Sequence, residues 1–416
     1  MNILLLGNGY DLNYNMPTSY RNFLLTIDFL IKSNLDNIHT VGDVFGNVGL
    51  HNEDEFIARS YAAYKETYAE VSLDTKTLEG LVDRAKRNIW FSYFLRSFNR
   101  EAGWIDVERE IAFVVSRLQS FFDKAEVNFV PSIVFEKVGS KYIIMEAFNF
   151  FVAEDHYSRN ALPTGIRKIK PEYTVEYPLG SGDHVINKEK IIGELNDALI
   201  EFAEILKTYL QCFIDKTVEK LVEQGTIAQL HPLAHTDVVI TFNYTNTYES
   251  FGSAAQVFHI HGNVKDKIVL GINPDKNDEK ETINTDFVAI KKYFQRTYYG
   301  TDTPYLRWLF DLLNNGGGDS DIHLLVMGHS LDVTDEDIIR GLFGLASEIT
   351  VIYHSKSSKS SLIRNLVTIF GKAKFDQIRD DQLLDFLPLS MDFSEFIEKQ
   401  AGYSTIRYES ELEGFL

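Results

Sequence analysis

The chain has 416 residues, 44% of them hydrophobic, and a formal charge of −19. This length allows two or three globular units, and the acidic balance argues against nucleic-acid binding, which needs clustered Lys and Arg. The single cysteine, Cys212, excludes intramolecular disulfides and a zinc site of several thiolates, and it fits a reducing cytoplasm.

The chain opens with a strand, a glycine turn and a helix. Residues 3–6 are a continuous apolar run, typical of a fully buried strand. Gly7, Asn8 and Gly9 follow, and the apolar spacing over residues 20–31 predicts a helix. This order is the first half of a nucleotide-binding unit.

Residues 33–231 are predicted to form a large helical insertion. The apolar periodicity predicts helices over 55–70, 78–98, 104–124 and 188–224. The last carries a heptad seam, Ile192, Leu195, Leu199, Phe202, Leu206, Tyr209 and Phe213. That seam either packs inside the insertion, which we favour, or forms a dimer.

A stretch rich in proline and glycine, residues 162–184, interrupts these helices. Its weak periodicity predicts a long exposed connection with at most one short strand. Such a connection serves either as a lid or as a simple surface crossing. No apolar run reaches the roughly 20 residues of a spanning helix, so we expect no membrane segment.

From residue 232 onward, apolar strands alternate with helices. Strands are predicted at 237–242, 257–260, 267–272, 322–327 and 348–353. Helices are predicted at 286–297, 304–314, 335–344 and 358–371. The fold class is therefore α/β, a Rossmann-like, mostly parallel sheet built from residues 1–32 and 232–375, with residues 376–416 as a peripheral segment.

Four strand ends in this arrangement carry polar or glycine residues. The first is the turn of Gly7, Asn8 and Gly9, either a phosphate-binding turn or merely a tight one. The second is Asn243 with Tyr244, at the end of a buried strand, where Asn also serves as a turn former.

The third strand end carries His259 and His261, which strand alternation predicts on the same side. Histidine as a proton acceptor suits this position better than a metal site, because no Cys or carboxylate stands at ligand spacing nearby. The fourth end is the turn at Gly328 and Ser330, followed by a helix whose first turn holds Asp335, Glu336 and Asp337. Those carboxylates are expected to stabilise the helix dipole.

As a set, the motifs resemble a known family. The stretches LLLGNGYDL (4–12), WIDVEREI (104–111), VVITFNYT (238–245), HIHGN (259–263) and VMGHSLDVTDEDI (326–338) resemble the bacterial abortive-infection AbiH family. Asp11 belongs to the family's G-N-G-[FY]-D pattern, where it either fixes a ribose hydroxyl or bonds loop N–H groups. Asp106 and Glu110 share one helical face and either reach the site or belong to an amphipathic helix that buries Trp104.

The sheet motifs also resemble, more distantly, the NAD-binding core of sirtuins. The matching positions are Gly7, Gly9, Asn243, His261, Gly262, Gly328 and Ser330. Thr245 stands where sirtuins usually have an acidic residue. With one cysteine the chain also lacks a sirtuin zinc ribbon, which argues against protein deacylation.

These resemblances imply a bacteriophage-defence effector, an NAD glycohydrolase that needs no metal. Asn243 and His261 would be catalytic, and Gly7, Asn8, Gly9, Asp11, Gly328 and Ser330 would bind NAD; Asp106, Tyr244 and His259 are additional candidates. Its partners would be a phage-derived trigger, a second defence protein or further copies of the chain. The alternatives are a nucleotide-binding sensor or scaffold that does not turn NAD over, and a nucleic-acid-directed effector.

Overall fold

The computed structural model describes residues 1–48, 61–62, 64–66, 68–98, 106–125, 143–154, 166–176, 184–223, 236–250, 254–273, 285–314, 321–381 and 383–389. Its strands are β1 (Asn2–Leu6), β2 (Phe151–Glu154), β3 (Ile166–Ile169), β4 (Thr174–Glu176), β5 (His184–Ile186), β6 (Val238–Thr241), β7 (Gln256–His259), β8 (His323–Met327), β9 (Glu348–Tyr353) and β10 (Leu384–Pro388).

The described helices are α1 (Gly9–Asn13), α2 (Tyr20–Lys32), α3 (Val41–Val48), α4 (Thr75–Arg87), α5 (Ile89–Phe98), α6 (Val107–Ala125), α7 (Ile143–Ala147), α8 (Lys188–Leu210), α9 (Lys216–Glu223), α10 (Thr247–Ser250), α11 (Lys292–Tyr299), α12 (Thr303–Asn314), α13 (Glu336–Leu345), α14 (Lys356–Phe370) and α15 (Lys372–Asp380). Short 3₁₀ turns cover Leu35–Asn37, Pro171–Tyr173, Val288–Ile290 and Val333–Asp335, and a π-helical turn covers Gln211–Asp215.

Six strands form one parallel sheet in the order β10-β9-β8-β1-β6-β7. This confirms the α/β prediction. Strand β1 lies in the interior of the sheet, where Ile3 and Leu5 pack on one face and Leu4 and Leu6 on the other. A strand buried on both faces must be apolar at every position, which explains the unbroken run at the start of the sequence.

The sheet extends further toward the C-terminus than the sequence predicts. Strand β10 pairs in parallel with β9 and lies inside the segment that was expected to be peripheral. It is half-buried at the edge of the sheet, so its sequence lacks the continuous apolar run of the inner strands. Pro388, which has no N–H to donate, is tolerated there because an edge strand needs fewer ladder bonds. The division of the chain into domains stays a prediction.

The prediction of a strand at 267–272 was wrong. Its backbone is satisfied by other partners: the Val269 N–H donates to the His261 carbonyl (2.8 Å), and the Gln295 side chain bonds both the N–H (2.9 Å) and the carbonyl (3.0 Å) of Leu270. Ile272 makes one isolated bridge with Lys291. The segment is apolar because it is buried, although it belongs to no sheet.

The heptad seam packs within the chain. Its members from Leu195 to Phe213 are buried in the largest apolar cluster, together with α2, α4 and α5. Phe202 and Tyr209 both contact the Phe23 ring, at centroid distances of 5.5 and 5.3 Å. The seam therefore joins the helical region to α2.

Several predicted elements of the helical region differ in detail. The helix predicted over 78–98 is two helices, α4 and α5, because Asn88 caps the second by accepting from the Phe91 N–H (2.9 Å). Within 162–184 the described residues form β3, β4 and the start of β5, so this connection carries more strand than expected. Part of the helix predicted over 55–70 and most of the remaining connection lie outside the described residues.

The two glycine turns at the carboxyl edge of the sheet pack directly against each other. The Gly9 N–H donates to the Gly328 carbonyl (2.8 Å), and the Gly7 N–H donates to the Met327 carbonyl (3.1 Å). A Cβ atom on Gly328 would lie 2.2 Å from the Tyr10 nitrogen, and Gly328 has a φ of +69°. Only glycine permits this backbone-to-backbone approach.

We therefore expect Gly328→Ala to destabilise the protein by more than about 3 kcal/mol, since it combines left-handed strain with a backbone clash. Gly300→Ala is the matched control: Gly300 also has a positive φ (+70°), but its Cβ would come no closer than 3.7 Å to Thr303. The control should lose only about 1–2 kcal/mol. Urea denaturation measures both, and equal losses would refute the packing of the two turns.

Candidate functional site

The candidate site lies at the carboxyl edge of the sheet. The neighbouring strands β8, β1, β6 and β7 all end there. This edge brings together the four strand ends that the sequence singled out, and it is where ligands bind in open α/β sheets.

The glycine turns use their own N–H groups internally. The Gly7 N–H bonds the last carbonyl of β8 and the Gly9 N–H bonds the Gly328 carbonyl, so neither group is free to cradle a diphosphate, and the NAD-binding role of these glycines stays a prediction. Asn8 and Ser330 are the exposed residues of the two turns. Any phosphate contact at this place therefore falls to Asn8 and Ser330, with the glycines shaping the turns.

Asp11 is fully buried below the first turn. Its Oδ2 atom accepts a hydrogen bond from the Thr245 hydroxyl (2.5 Å), and its Oδ1 atom has no hydrogen-bond partner among the described residues. Burial raises the pKa of Asp11 to about 6, although the bond from Thr245 opposes the shift. Asp11 thus bonds a loop hydroxyl, and its role toward a ribose hydroxyl stays a prediction.

Asn243 is held by its backbone, and its side-chain oxygen is left free. The Asn243 carbonyl lies 3.1 Å from Nδ1 of His259, and Nε2 of the same ring lies 2.6 Å from the Glu249 carboxylate. Asn243 is 6% exposed, and its Oδ1 has no partner in the described part of the chain. The loop is thus fixed while one buried acceptor faces no protein donor.

The two histidines have different partners. Strand β7 ends at His259, so its alternation does not extend to His261. His261 is 4% exposed, and its ring lies 5.0 Å from that of Phe242. Its Nε2 is 3.2 Å from Asp335 Oδ1, an ion-pair distance without the alignment of a hydrogen bond. The placement of the two side chains on one side of the strand stays a prediction.

His261 is electrically neutral at pH 7. Burial lowers its pKa to about 4, and the nearby Lys292 ammonium acts in the same direction, whereas Asp335 opposes the shift. A neutral imidazole is the form that accepts a proton, and an adjacent carboxylate stabilises the imidazolium that results.

Lys292, which the sequence reading missed, is the centre of a buried ion cluster. Its side chain is 1% exposed, and its Nζ lies 3.0 Å from Asp335 Oδ1 and 2.8 Å from Glu108 Oε2. Burial alone would lower the pKa of Lys292, but the two carboxylates raise it above its usual value. One turn further along α11, buried Arg296 pairs with Asp337.

The cluster changes the role of Asp335. The sequence assigned this carboxylate to the dipole of α13, yet Asp335 makes no side-chain capping bond to that helix. Lys292 and His261 instead hold its pKa well below the usual range against the effect of burial. His329 lies on its other side, with Nε2 3.6 Å from Asp335 Oδ2.

Helix α6 contributes Glu108 to the site, a residue that was not predicted from the sequence. Asp106 caps the helix by accepting from the Arg109 N–H (3.0 Å), and Glu110 accepts from the Tyr93 hydroxyl (2.8 Å). Asp106 therefore has a structural contact, Glu110 points into helix packing, and Trp104 lies outside the described residues. Burial raises the pKa of Glu108 to about 7, and the nearby Asp335 charge acts in the same direction, whereas Lys292 opposes the shift.

Tyr244 lies between the buried ion cluster around Lys292 and helix α2. Its hydroxyl donates to the Val269 carbonyl (3.0 Å) and lies 3.3 Å from the Tyr20 hydroxyl. The side chain thus has a structural partner already. No set of three or more His, Cys, Asp or Glu side chains within the described ranges is arranged to hold a metal ion, and none of the described helices is both long and apolar enough to cross a membrane.

One comparison with known proteins gives a match. A family model described as "Bacteriophage abortive infection AbiH" matches residues 3–353, which include β1 to β9 and every residue of the candidate site. No curated protein and no solved structure matches the sequence.

The buried position of Lys292 predicts a large effect on stability. Lys292→Met leaves Asp335 and Glu108 without their counter-charge, and we expect a loss of about 3–5 kcal/mol in the free energy of unfolding. Lys267→Met is the control: Lys267 pairs with Glu204 at 2.8 Å, but its side chain is 54% exposed, so its loss should stay below about 1 kcal/mol. Comparable losses in urea titrations would contradict the central role of Lys292.

The raised pKa of Asp11 predicts that the free energy of unfolding depends on pH. Its pKa rises from 3.8 to about 6 on folding, so the folded state binds more protons between these values, and stability is lost as pH rises through that window. Asp11→Asn keeps an acceptor for Thr245 and does not titrate. Relative to the wild type, the variant should therefore gain about 2 kcal/mol between pH 4 and pH 7. Parallel pH profiles of the two proteins in urea titrations would contradict the shift.

Proposed function

The chain belongs to the bacteriophage abortive infection AbiH family, and we propose that it serves this defence by binding NAD and hydrolysing the bond between nicotinamide and ribose. Loss of NAD would stop the growth of an infected cell. The reaction adds water across the glycosidic bond, so that nicotinamide leaves, ADP-ribose keeps the new hydroxyl and one proton is released.

The observation that supports this proposal best is the free Oδ1 of Asn243. A buried acceptor without a partner costs about 1–3 kcal/mol, so an orphaned oxygen at a ligand-binding edge favours a ligand that donates a hydrogen bond to it. Asp11 offers a second orphaned oxygen near the same strand ends. Ribose hydroxyls and an attacking water are donors of the required kind.

His261 suits the role of proton acceptor. Its ring is neutral at pH 7, and Asp335, 3.2 Å from its Nε2, would stabilise the imidazolium and so offset the low basicity of a ring whose pKa is about 4. Nicotinamide leaves a cationic ring as a neutral molecule, so the leaving group needs no general acid. Asn243 would hold the water or the ribose hydroxyls, while His261 takes the proton that the water loses as its oxygen bonds the ribose carbon.

The remaining residues would bind and orient NAD. Asn8 and Ser330, exposed on the paired turns, are placed for the diphosphate, and Gly7, Gly9 and Gly328 fix the shape of those turns. Asp11 would accept from a ribose hydroxyl. Glu108, brought by α6, would help to exclude bulk water from this edge.

Such an activity has to be silent in a healthy cell. A phage-derived trigger or a partner defence protein would therefore release it. A sensor that binds NAD without hydrolysing it is the competing function, and the same experiment separates the two.

We expect purified protein to release nicotinamide from NAD, either alone or after addition of phage lysate. Asn243→Ala and His261→Ala should each lower the rate at least about 100-fold, the usual contribution of a positioned acid–base or orienting group. Chromatography of the products measures the release. Circular dichroism of each variant shows whether the fold is kept.

The control is His323→Ala, which removes a half-exposed histidine paired with Glu348 away from the site; it should keep the wild-type rate. Calorimetric binding of NAD with no release under any condition would replace the hydrolase with the sensor. Absence of both binding and release with lysate present would refute the NAD proposal.

A further inference from the structure

Helix α12 carries large apolar side chains on its outer face. Leu306 is 48% exposed, Phe310 66% and Leu313 58%. Their spacing of four and three residues places them in one stripe along the helix. A shallow depression of about 400 Å³ lies beside this stripe, lined by Thr303, Leu306, Arg307, Phe310 and Asp311.

The opposite face of α12 packs against the core. Tyr305 is buried there, and Trp308, Leu309 and Leu312 pack against the apolar cluster on one face of the sheet. The helix is therefore apolar on both faces, a pattern typical of helices that are covered on both sides. Scattered exposed apolar residues are ordinary, but a continuous stripe of three large ones marks an interaction surface.

The charges beside the stripe are self-complementary. Arg307 and Asp311 are exposed on the same flank, two residues either side of Leu309. Two copies of α12 packed antiparallel about a two-fold axis near Leu309 would bring Arg307 of one copy opposite Asp311 of the other, twice. The same axis brings Leu306 opposite Leu313 of the second copy and places the two Phe310 rings near the centre.

We propose that this face of α12, defined by Leu306, Arg307, Phe310, Asp311 and Leu313, is the interface of a symmetric homodimer. A two-fold interface requires one surface to complement itself. Here an exposed apolar stripe runs along the helix, a shallow depression lies between Leu306 and Phe310 of that stripe and the charged flank, and the flanking charges have opposite signs. The proposal is independent of NAD, because it rests on none of the residues at the sheet edge.

Sedimentation velocity over a range of protein concentrations tests the interface. The wild type should sediment as a dimer that dissociates on dilution, and Phe310→Glu should raise the dissociation constant at least about 30-fold, as expected for a central aromatic anchor. Phe113→Glu is the matched control, because Phe113 is an exposed phenylalanine (41%) on α6. It should leave the dissociation constant unchanged.

Charge reversal tests the orientation of the two helices. Arg307→Asp and Asp311→Arg should each weaken the dimer, because each places like charges opposite one another. The double variant should restore the affinity to within about threefold of the wild type, since it exchanges the two partners and keeps both pairs. A wild type that stays monomeric, or a dimer that Phe310→Glu leaves intact, would overturn the proposal.

Discussion

Burial of a single ammonium group constrains the whole candidate site. An unpaired charge in a protein interior costs several kcal/mol, so Lys292 can be buried only where carboxylates meet it. One carboxylate, Asp335, comes from the turn region after β8, and the other, Glu108, comes from a helix more than two hundred residues earlier in the chain. The ammonium therefore fixes where the helical region contacts the sheet edge. It also keeps Asp335 ionised and, together with burial, lowers the pKa of His261, so that the ring is neutral.

The glycine turns impose a second constraint on the same edge. Their backbones touch, and the N–H groups of Gly7 and Gly9 bond the last residue of β8 and the first residue of the turn after it. This contact holds the ends of β1 and β8 in register, but it removes two donors that a nucleotide turn would normally offer. The buried polar atoms without a hydrogen-bond partner in the described part of the chain include the acceptor oxygens of Asp11 and Asn243, and also donors on Asn246 and Arg296. The two acceptors suit ligand hydroxyls, whereas a contact with an anionic group cannot come from the N–H groups of Gly7 and Gly9.

Much of the fold could be predicted, because buried strands and amphipathic helices require a regular spacing of apolar residues in the sequence. The inner strands of the sheet and helices such as α2 and α12 follow directly from apolar spacing. The prediction of a strand at 267–272 was wrong because burial alone makes a segment apolar. Hydrogen bonds from the distant Gln295 side chain satisfy part of this backbone in place of a neighbouring strand.

The site was harder to predict than the fold. Each of the four strand ends is a local motif, so their common position at one edge of the sheet was predicted correctly from the sequence. Lys292 escaped notice because a lysine on an amphipathic helix normally faces solvent, and no local pattern reports that it is buried. Glu108 lies between the two acidic residues that the spacing rule selected, and its partner is 184 positions away in the sequence. Ion pairs between distant segments leave no short-range signal, whereas strand ends do.

The organisation of the 243–259 region connects these constraints to function. His259 and Glu249 hold the backbone of the Asn243 loop, so the position of the Asn243 side chain is set before any ligand arrives. A fixed acceptor loses little entropy on binding, and a buried acceptor without a partner gains the full value of the hydrogen bond that a ligand brings. His261, on the following turn, is neutral for a separate reason, its burial beside Lys292. A rigid acceptor and a neutral base, prepared by independent interactions at neighbouring strand ends, suit a reaction in which water is held and deprotonated. For the NAD hydrolysis that we propose, nicotinamide leaves as a neutral molecule, so the protein needs to bring no charge of its own to the leaving group.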